Sequence, residues 1–224
     1  MTTAIRWLLG SILALPVIAI GLNPTTSSFR GDPRHTGVYP AAAGPALTRV
    51  RWSFQTGGPV RGSAALASGR VFVGSADGRV YALELSSGRR LWSADLGGAV
   101  SSTPAVSGGT VFAASRNRRL TALDAGSGAV RWRFDFGPEL PFPWGWDYWV
   151  SSPVVAGRRV FVGAGDGGLY ALEASTGRRI WRLSTGGRIR SSPAIADGVV
   201  YVGSMKGIEA ASLSEEAQLQ TRGW

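Results

Sequence analysis

Residues 82–92 read ALELSSGRRLW, residues 122–132 read ALDAGSGAVRW, and residues 171–181 read ALEASTGRRIW. Each phrase ends on a tryptophan. The first two of these tryptophans are 40 residues apart, and Trp52 lies a further 40 residues upstream. A unit that recurs at a fixed period buries its apolar face only against a neighbouring unit, so the repeat decides the fold.

The unit that contains the second phrase divides into four short runs with strand character. Strands are predicted at residues 100–106, 109–115, 119–125 and 130–136, with the turn signals GG, RNR and GSG between them. Four short antiparallel strands repeated at this spacing are typical of the blades of a β-propeller. The sequence shows neither the helical periodicity of helical repeats nor the Gly-His and Trp-Asp signature of WD40 blades. We therefore predict an all-β chain, a β-propeller of four-stranded antiparallel blades.

The repeats predict an incomplete propeller of about three and a half blades. Residues 50–56 supply one outer strand, residues 60–96, 99–136 and 150–184 supply three full blades, and residues 188–204 begin a fourth. After residue 207 the pattern is lost. The divergent tail, residues 208–224, has a helix-forming composition in which Ser212 and Glu215 are spaced as a capping box. Closed propellers have about 4–8 blades, so we expect poor solubility of this arc or self-association through its open blade edges.

The N-terminal residues resemble an export signal. Residues 1–22 carry Arg6 followed by the apolar run WLLGSILALPVIAIGL, which is short for a membrane span and typical of a signal segment. No clear small-x-small cleavage site follows, so a cleaved signal peptide and an uncleaved signal anchor that ties the chain to the membrane both stay open. Residues 23–49 form an irregular linker and residues 50–207 form the blades. The repeats are expected to be exported, whether periplasmic, secreted or membrane-anchored outside the cell.

Composition limits the chemistry that this chain can perform. It contains no cysteine, which removes disulfides, thiolate metal sites, a cysteine nucleophile and the acylated cysteine of a lipoprotein. His35 is its single histidine, so a histidine-based metal site or triad has no second member. The net charge of +10 fits either a compositional bias towards arginine or an anionic partner such as a polysaccharide surface. We expect no nucleic-acid partner, because no recognition helix or single-strand stacking motif is visible.

The phrase A-x-[DE]-x-x-x-G-x-x-x-W resembles the tryptophan-docking motif of pyrroloquinoline-quinone-like (PQQ-like) propeller repeats. The matching residues are Ala82, Glu84, Gly88, Trp92, Ala122, Asp124, Gly128, Trp132, Ala171, Glu173, Gly177 and Trp181. The resemblance covers residues 29–207, including FRGDPRHTG at its start. It implies that each docking tryptophan packs between neighbouring blades near the glycine of an adjacent motif, which is a structural role. Tryptophan is a large apolar plate with one donor, and glycine lets a backbone approach it closely.

The resemblance leaves several functions open. The family includes quinone-dependent dehydrogenases, a scaffold of the outer-membrane barrel-assembly machinery such as BamB, and extracellular sensor domains. Its dehydrogenases use PQQ, calcium, an aspartate base and often a vicinal disulfide, none of which can be placed in this sequence. We find no acid–base pair, nucleophile elbow or phosphate loop. We therefore favour an exported, non-enzymatic binding or scaffold module without a cofactor. The alternatives are an N-terminal fragment of a PQQ-dependent dehydrogenase, which would need PQQ and calcium, and a fragment of a sensor domain.

An insertion between the second and third blades is the first candidate binding site. The stretch GPELPFPWGWDYWVSSPVV, residues 137–155, lengthens the spacing between Trp132 and Trp181 to 49 residues. Its aromatic side chains surround one acidic residue: Phe142, Trp144, Trp146, Asp147, Tyr148 and Trp149. Exposed aromatic clusters mark sites for protein partners, sugars or membrane surfaces. The alternative is a hydrophobic plug folded over the ring.

Two further candidates depend on charged side chains. Arg188 and Arg190 lie on a predicted innermost strand beside serine hydroxyls, a combination that suits an anionic or polyol ligand. The alternative for them is ordinary solvation at a strand end. Asp77 and Asp166 occupy equivalent turns, where a lone aspartate is usually a turn former rather than a metal ligand.

Overall fold

A computed structural model of the chain describes residues 26–30, 32–35, 49–142 and 149–212. The predicted signal segment and four of the aromatic-insertion candidates, Trp144, Trp146, Asp147 and Tyr148, lie outside these residues. In the described part of the chain, no helix is long and apolar enough to cross a bilayer. The described residues form β-strands grouped into four sheets, which confirms the all-β propeller fold.

Three sheets are complete four-stranded blades, and a fourth has three strands in the described ranges. A short strand, β1 (Thr26–Ser27), precedes them. Blade 1 contains β2 (Ala65–Ala67), β3 (Arg70–Gly74), β4 (Arg79–Glu84) and β5 (Arg90–Asp95). Blade 2 contains β6 (Ala105–Ser107), β7 (Thr110–Ser115), β8 (Arg119–Asp124) and β9 (Val130–Asp135). Blade 3 contains β10 (Val154–Ala156), β11 (Arg159–Gly163), β12 (Gly168–Glu173) and β13 (Arg179–Ser184). Blade 4 contains β14 (Ala194–Ala196), β15 (Val199–Ser204) and β16 (Gly207–Ser212).

Consecutive strands of a blade are antiparallel neighbours, and the three complete blades share one register. The alanine of each predicted motif lies opposite its tryptophan, as Ala82 lies opposite Trp92, and the register shifts directly after that alanine. The fourth strand of each complete blade therefore has its irregularity at the same place. The motif tryptophans of the three blades consequently have equivalent positions.

The hydrophobic core is divided into clusters between adjacent blades. One cluster joins blade 1 to blade 2 through residues such as Phe72 and Val111. A second joins blade 2 to blade 3, and a third joins blade 3 to blade 4. In a fourth, Trp52 and Phe54, which precede blade 1 in the chain, pack against Val71, Tyr81 and Leu83 of that blade. Each of the first three clusters is shared by two adjacent blades, so the packing between blades contributes to the stability of the arc.

The first strand of each blade is shorter than the sequence predicts. Residues 100–106 were expected to form one strand, but β6 begins only at Ala105. Before it, the Ser102 hydroxyl donates to the carbonyl of Ala114 at 2.8 Å and accepts from the Ala114 amide at 3.2 Å. A side chain thus replaces the backbone in pairing with β7, and Pro104 has no amide to donate.

Two other predictions for strands and tail are wrong. Residues 50–56 form no regular strand, because no strand lies beside them in the described residues to complete a ladder. Residues 208–212 of the predicted helix-prone tail belong to β16, which pairs with β15 along its whole length. Pairing with an existing strand overrides weak local helix preference. The rest of the tail, residues 213–224, lies outside the described residues.

The N-terminal segment crosses the inner edge of the arc, where the first strands of neighbouring blades meet. β1 pairs with β6, the first strand of blade 2. Further on, the carbonyl of Pro33 accepts a hydrogen bond from the Ile195 amide of blade 4 at 2.8 Å. This segment therefore ties blade 2 to blade 4 across the inner side of the arc.

Candidate partner-binding surface at the aromatic insertion

The tryptophan motifs meet at the joints between blades. The indole nitrogen of each tryptophan donates to a backbone carbonyl of the following blade, at 3.0 Å for Trp52 to Leu85, 3.1 Å for Trp92 to Ala125 and 2.9 Å for Trp132 to Ala174. A Cβ placed on Gly88, Gly128 or Gly177 would lie 2.5, 2.7 or 2.6 Å from the indole ring of Trp52, Trp92 or Trp132. Each indole ring thus lies directly against the backbone of a glycine in the following blade.

A chain of hydrogen bonds links equivalent hydroxyl residues at the inner edge. The amide of Ser63 donates to the Thr103 hydroxyl at 2.9 Å, the amide of Thr103 donates to the Ser152 hydroxyl at 2.9 Å, and the amide of Ser152 donates to the Ser192 hydroxyl at 3.3 Å. Each step runs from one blade to the next. These hydroxyls therefore join neighbouring blades.

The aspartates of the equivalent turns hold the linkers between blades. The Asp77 carboxylate accepts hydrogen bonds from the Gly57 amide at 2.9 Å, the Arg79 amide at 3.0 Å and the Tyr81 hydroxyl at 2.5 Å. Burial raises the pKa of Asp77, but these hydrogen bonds outweigh burial, and the pKa lies below its ordinary value of 3.8. Asp166 holds Gly137 in the same way at 3.0 Å.

The start of the aromatic insertion is anchored on blade 3 and on the linker that leads to blade 4. The Leu140 amide donates to the carbonyl of Gly165 at 2.9 Å. The Arg188 guanidinium donates to the carbonyl of Leu140 at 2.5 Å and to the Glu139 carboxylate at 2.7 Å. Arg190 donates to the same carboxylate at 3.2 Å. The Glu139 carboxylate therefore pairs with two largely buried guanidinium groups.

The two candidate sites predicted from the sequence meet here. The guanidinium of Arg188 lies 5.1 Å from the ring centroid of Phe142, within the range of a cation–π interaction. The structure thus brings together the basic candidates and the first aromatic residue of the insertion. Sequence analysis missed Glu139, which links them.

Trp149 lies at the far end of the insertion and is 63% exposed. It stands two residues before Ser151, whose hydroxyl accepts from Gly163 as the Ser102 hydroxyl accepts from Ala114. Its counterparts in the other joints are therefore Val100 and Ile189, both 0% exposed. The insertion therefore places a large exposed indole at the position where these joints bury an aliphatic side chain. We call Glu139, Phe142, Trp149, Arg188 and Arg190 the insertion surface.

Comparisons with known proteins agree with the repeat. A family model described as outer membrane protein assembly factor BamB matches residues 39–142 and again residues 116–218. The chain belongs to this BamB family of PQQ-like β-propeller repeats. Among curated proteins, none matches it.

Solved structures resemble this BamB-family chain in fold. BamB from Moraxella catarrhalis is 21% identical with a TM-score of 0.63, and the match covers 72% of this chain and 52% of that one. Quinohemoprotein alcohol dehydrogenase from Comamonas testosteroni is 20% identical with a TM-score of 0.56, covering 67% of this chain and 30% of the enzyme. The computationally designed protein Ika4 is 15% identical with a TM-score of 0.60, and the match covers 70% of this chain and 93% of Ika4. The chain spans about half the length of the BamB structure and under a third of the dehydrogenase.

The described residues of the BamB-family chain do not fit the calcium site that a dehydrogenase relationship implies. No group of three or more His, Asp or Glu side chains within these residues lies together in a position to hold a metal ion. Asp77 and Asp166 belong to separate blades, and both carboxylates already accept hydrogen bonds from linker amides. They act as linker anchors.

Proposed function

We propose that this BamB-family chain is an exported, non-enzymatic binding or scaffold module that holds a protein partner on the insertion surface. The observation that carries the proposal is the exposure of Trp149 at a position where the other joints bury an aliphatic side chain. The matching family model, described as an outer membrane protein assembly factor, supports a place in the bacterial envelope. Under this proposal, residues 1–22 direct export or anchor the chain to the membrane.

The chemistry of the insertion surface favours a partner with both apolar and anionic groups. Trp149 and the ring of Phe142 offer aromatic contacts, and such residues dominate the energetics of protein interfaces. The Arg188 and Arg190 guanidinium groups beside Glu139 supply positive charge, which favours an acidic group on the partner. An unfolded outer-membrane β-barrel protein combines these features and matches the family description.

The proposal is tested by titrating the full-length chain with a urea-unfolded outer-membrane β-barrel protein at constant residual urea. We expect saturable binding, weakened by about tenfold in Trp149→Ala, because losing a well-packed interface aromatic costs on the order of 1–2 kcal/mol. The matched control Val130→Ala removes another exposed apolar side chain, one on β9, and should leave this affinity unchanged. Equal affinities for wild type and Trp149→Ala would contradict the proposal, and so would tighter binding to an envelope polysaccharide than to the barrel protein.

Incubation with PQQ and calcium followed by a dye-reduction assay separates the enzymatic alternative. Turnover of an alcohol by this chain would contradict the non-enzymatic proposal.

A further inference from the structure

At each junction between consecutive blades, the leading face of one blade packs on the trailing face of the next. On the leading face, Phe72, Phe112 and Phe161 of blades 1 to 3 each lie opposite the first residue of the first strand, and all are buried. On the trailing face, Val106, Val155 and Ile195 of blades 2 to 4 meet them and are buried as well. The same pair of faces is therefore joined three times within one chain.

Among the described residues, parts of the two faces at the ends of the arc are apolar and exposed. On blade 4, Tyr201 holds the position of Phe72 and is 43% exposed, and Ile208 holds that of the fully buried Val80 and is 76% exposed. On blade 1, Leu66 holds the position of Val106 and is 47% exposed. None of the clusters formed by described residues joins blade 4 to blade 1. Burying such a face is favourable in proportion to its apolar area.

A glycine on blade 4 has the position of a joint glycine, but no described residue of a following blade lies in front of it. In front of Gly74 of blade 1 and Gly163 of blade 3, the side chain of Val100 or Ile189 from the next blade fills the space that a Cβ would take. At the equivalent Gly203, a Cβ would meet only the side chain of Ser191 in its own blade, at 3.6 Å. The counterpart of Val100 at the start of blade 1 is Val60, which is 48% exposed.

The outer edge of blade 4 shows the same complementarity. Its last described strand is β16, whose Ala210 corresponds to Ala82 in register. Ala82 lies opposite Trp92, and the residue that corresponds to Trp92 ahead of blade 1 is Trp52, which contacts Leu85 as Trp92 contacts Ala125. Residues 50–56 therefore have the position and pattern of an outer strand for a blade 4, and they form no ladder with the described residues of their own chain.

We propose that a second copy of this chain docks on these faces, so that blade 4 of each copy packs on blade 1 of the other. Val60 of one copy then lies against Gly203 of its partner, and residues 50–56 lie beside β16 with Trp52 opposite Ala210. Two such junctions are identical by twofold symmetry and close a ring, whereas a head-to-tail contact that fails to close gives a fibre. Two four-blade arcs give eight blades, within the usual range of about 4–8 for closed propellers. This inference is independent of the insertion surface.

The first experiment measures the mass of the full-length chain by light scattering after size exclusion, corrected for bound detergent. We expect twice the 23.5 kDa of one chain for wild type and the mass of one chain for Gly203→Leu. Leucine at position 203 fits the free chain, because its Cβ has only ordinary van der Waals contacts there, but it occupies the space meant for Val60. The control Ser184→Leu adds the same side chain to an exposed site on β13 and should keep the mass of two chains.

The second experiment locates the junction by cross-linking. Continuing the inner-edge chain of hydrogen bonds places Ser192 of one copy beside Ser63 of the other. In the double variant Ser63→Cys, Ser192→Cys of this cysteine-free chain, mild oxidation should give one covalent species of two chains, which disappears when Gly203→Leu is added. A monomeric wild type would overturn the proposal, as would a dimer insensitive to Gly203→Leu or a ladder of longer oxidised species. A chain that covers these faces with its own residues 213–224 would show the first of these results.

Discussion

The indole nitrogen of Trp92 lies 3.1 Å from the carbonyl oxygen of Ala125, 33 residues further along the chain and in the next blade. The same ring lies on Gly128, where the left-handed backbone (φ 77°) leaves no room for a Cβ, which would approach the ring to 2.7 Å. The Trp92 side chain thus contacts the following blade in two ways, by a hydrogen bond to Ala125 and by packing of its ring against the backbone of Gly128. The repeat of this relationship makes the motif a blade joint.

Replacing Gly128 with alanine should therefore destabilise the chain through two separate effects. Left-handed backbone costs an L-residue about 1–2 kcal/mol, and overpacking against the indole adds about 1–3 kcal/mol. The control Gly69→Ala has a similar φ of 70° but nothing within 4 Å of its Cβ, so it isolates the backbone cost. Urea unfolding followed by tryptophan fluorescence compares the midpoints. An equal decrease of the urea midpoint in the two variants would show that close packing against the indole ring does not add to the destabilisation of Gly128→Ala.

Two adjacent buried serines predict opposite responses to alanine. Ser102→Ala leaves the amide and the carbonyl of Ala114 without their partner and should cost about 1–3 kcal/mol. Ser101→Ala removes a buried hydroxyl that has no partner within the described residues, so it should be neutral or stabilising. Thermal unfolding of the two variants in parallel measures the difference. A larger loss for Ser101→Ala would contradict the assignment of these hydroxyls.

The Asp77 carboxylate should make stability depend on acid pH. Its pKa in the folded chain lies below its ordinary value of 3.8, so the unfolded chain binds the proton more tightly. The stabilisation is therefore fully present above the ordinary pKa and is lost as the pH falls through the lower folded value. Asp77→Asn should lower the unfolding free energy at neutral pH by about 1–3 kcal/mol, since charged hydrogen bonds are lost. The curves of wild type and variant should converge in acid, and parallel curves down to the lowest pH would be inconsistent with this role.

Glu139 should control how firmly the insertion is held. Glu139→Gln removes the charge that pairs with the two largely buried guanidinium groups of Arg188 and Arg190. We expect faster hydrogen exchange across residues 137–142, because losing a charged partner of two largely buried guanidinium groups weakens the anchoring of the segment. Hydrogen exchange in β8 serves as the internal reference, because the bonds between Glu139 and the two arginines do not involve that strand. Unchanged exchange at residues 137–142 would mean that the Leu140 backbone bonds suffice to anchor the insertion.

The repeat made the fold predictable, and the misses come from places where pairing rather than local sequence decides. β16 was missed because its turn is one residue shorter than in blade 1, pairing Gly203 with Ile208 where Gly74 pairs with Val80, so the strand fell out of the motif's spacing. Residues 50–56 carry a strand pattern but have no described strand beside them to pair with.

The candidate site was only partly predictable because its parts are far apart in sequence. Phe142 and Arg188 were recognised separately, and only the path of the linker brings the ring and the guanidinium together. Glu139 carried one signal, as the acidic residue in the first half of an aromatic insertion. Nothing in the sequence indicated that it would pair with arginines about 50 residues away.

The measurement that tests the proposed function most directly is site-specific photo-cross-linking at position 149 in the full-length chain. A photoreactive residue in place of Trp149 is compared with one in place of Ser175, an exposed residue at the opposite end of the strands. With a urea-diluted outer-membrane β-barrel protein as the probe, we predict cross-links from position 149 and not from position 175. Cross-links of equal yield from both positions, or from position 175 alone, would contradict a partner-binding role for the insertion surface.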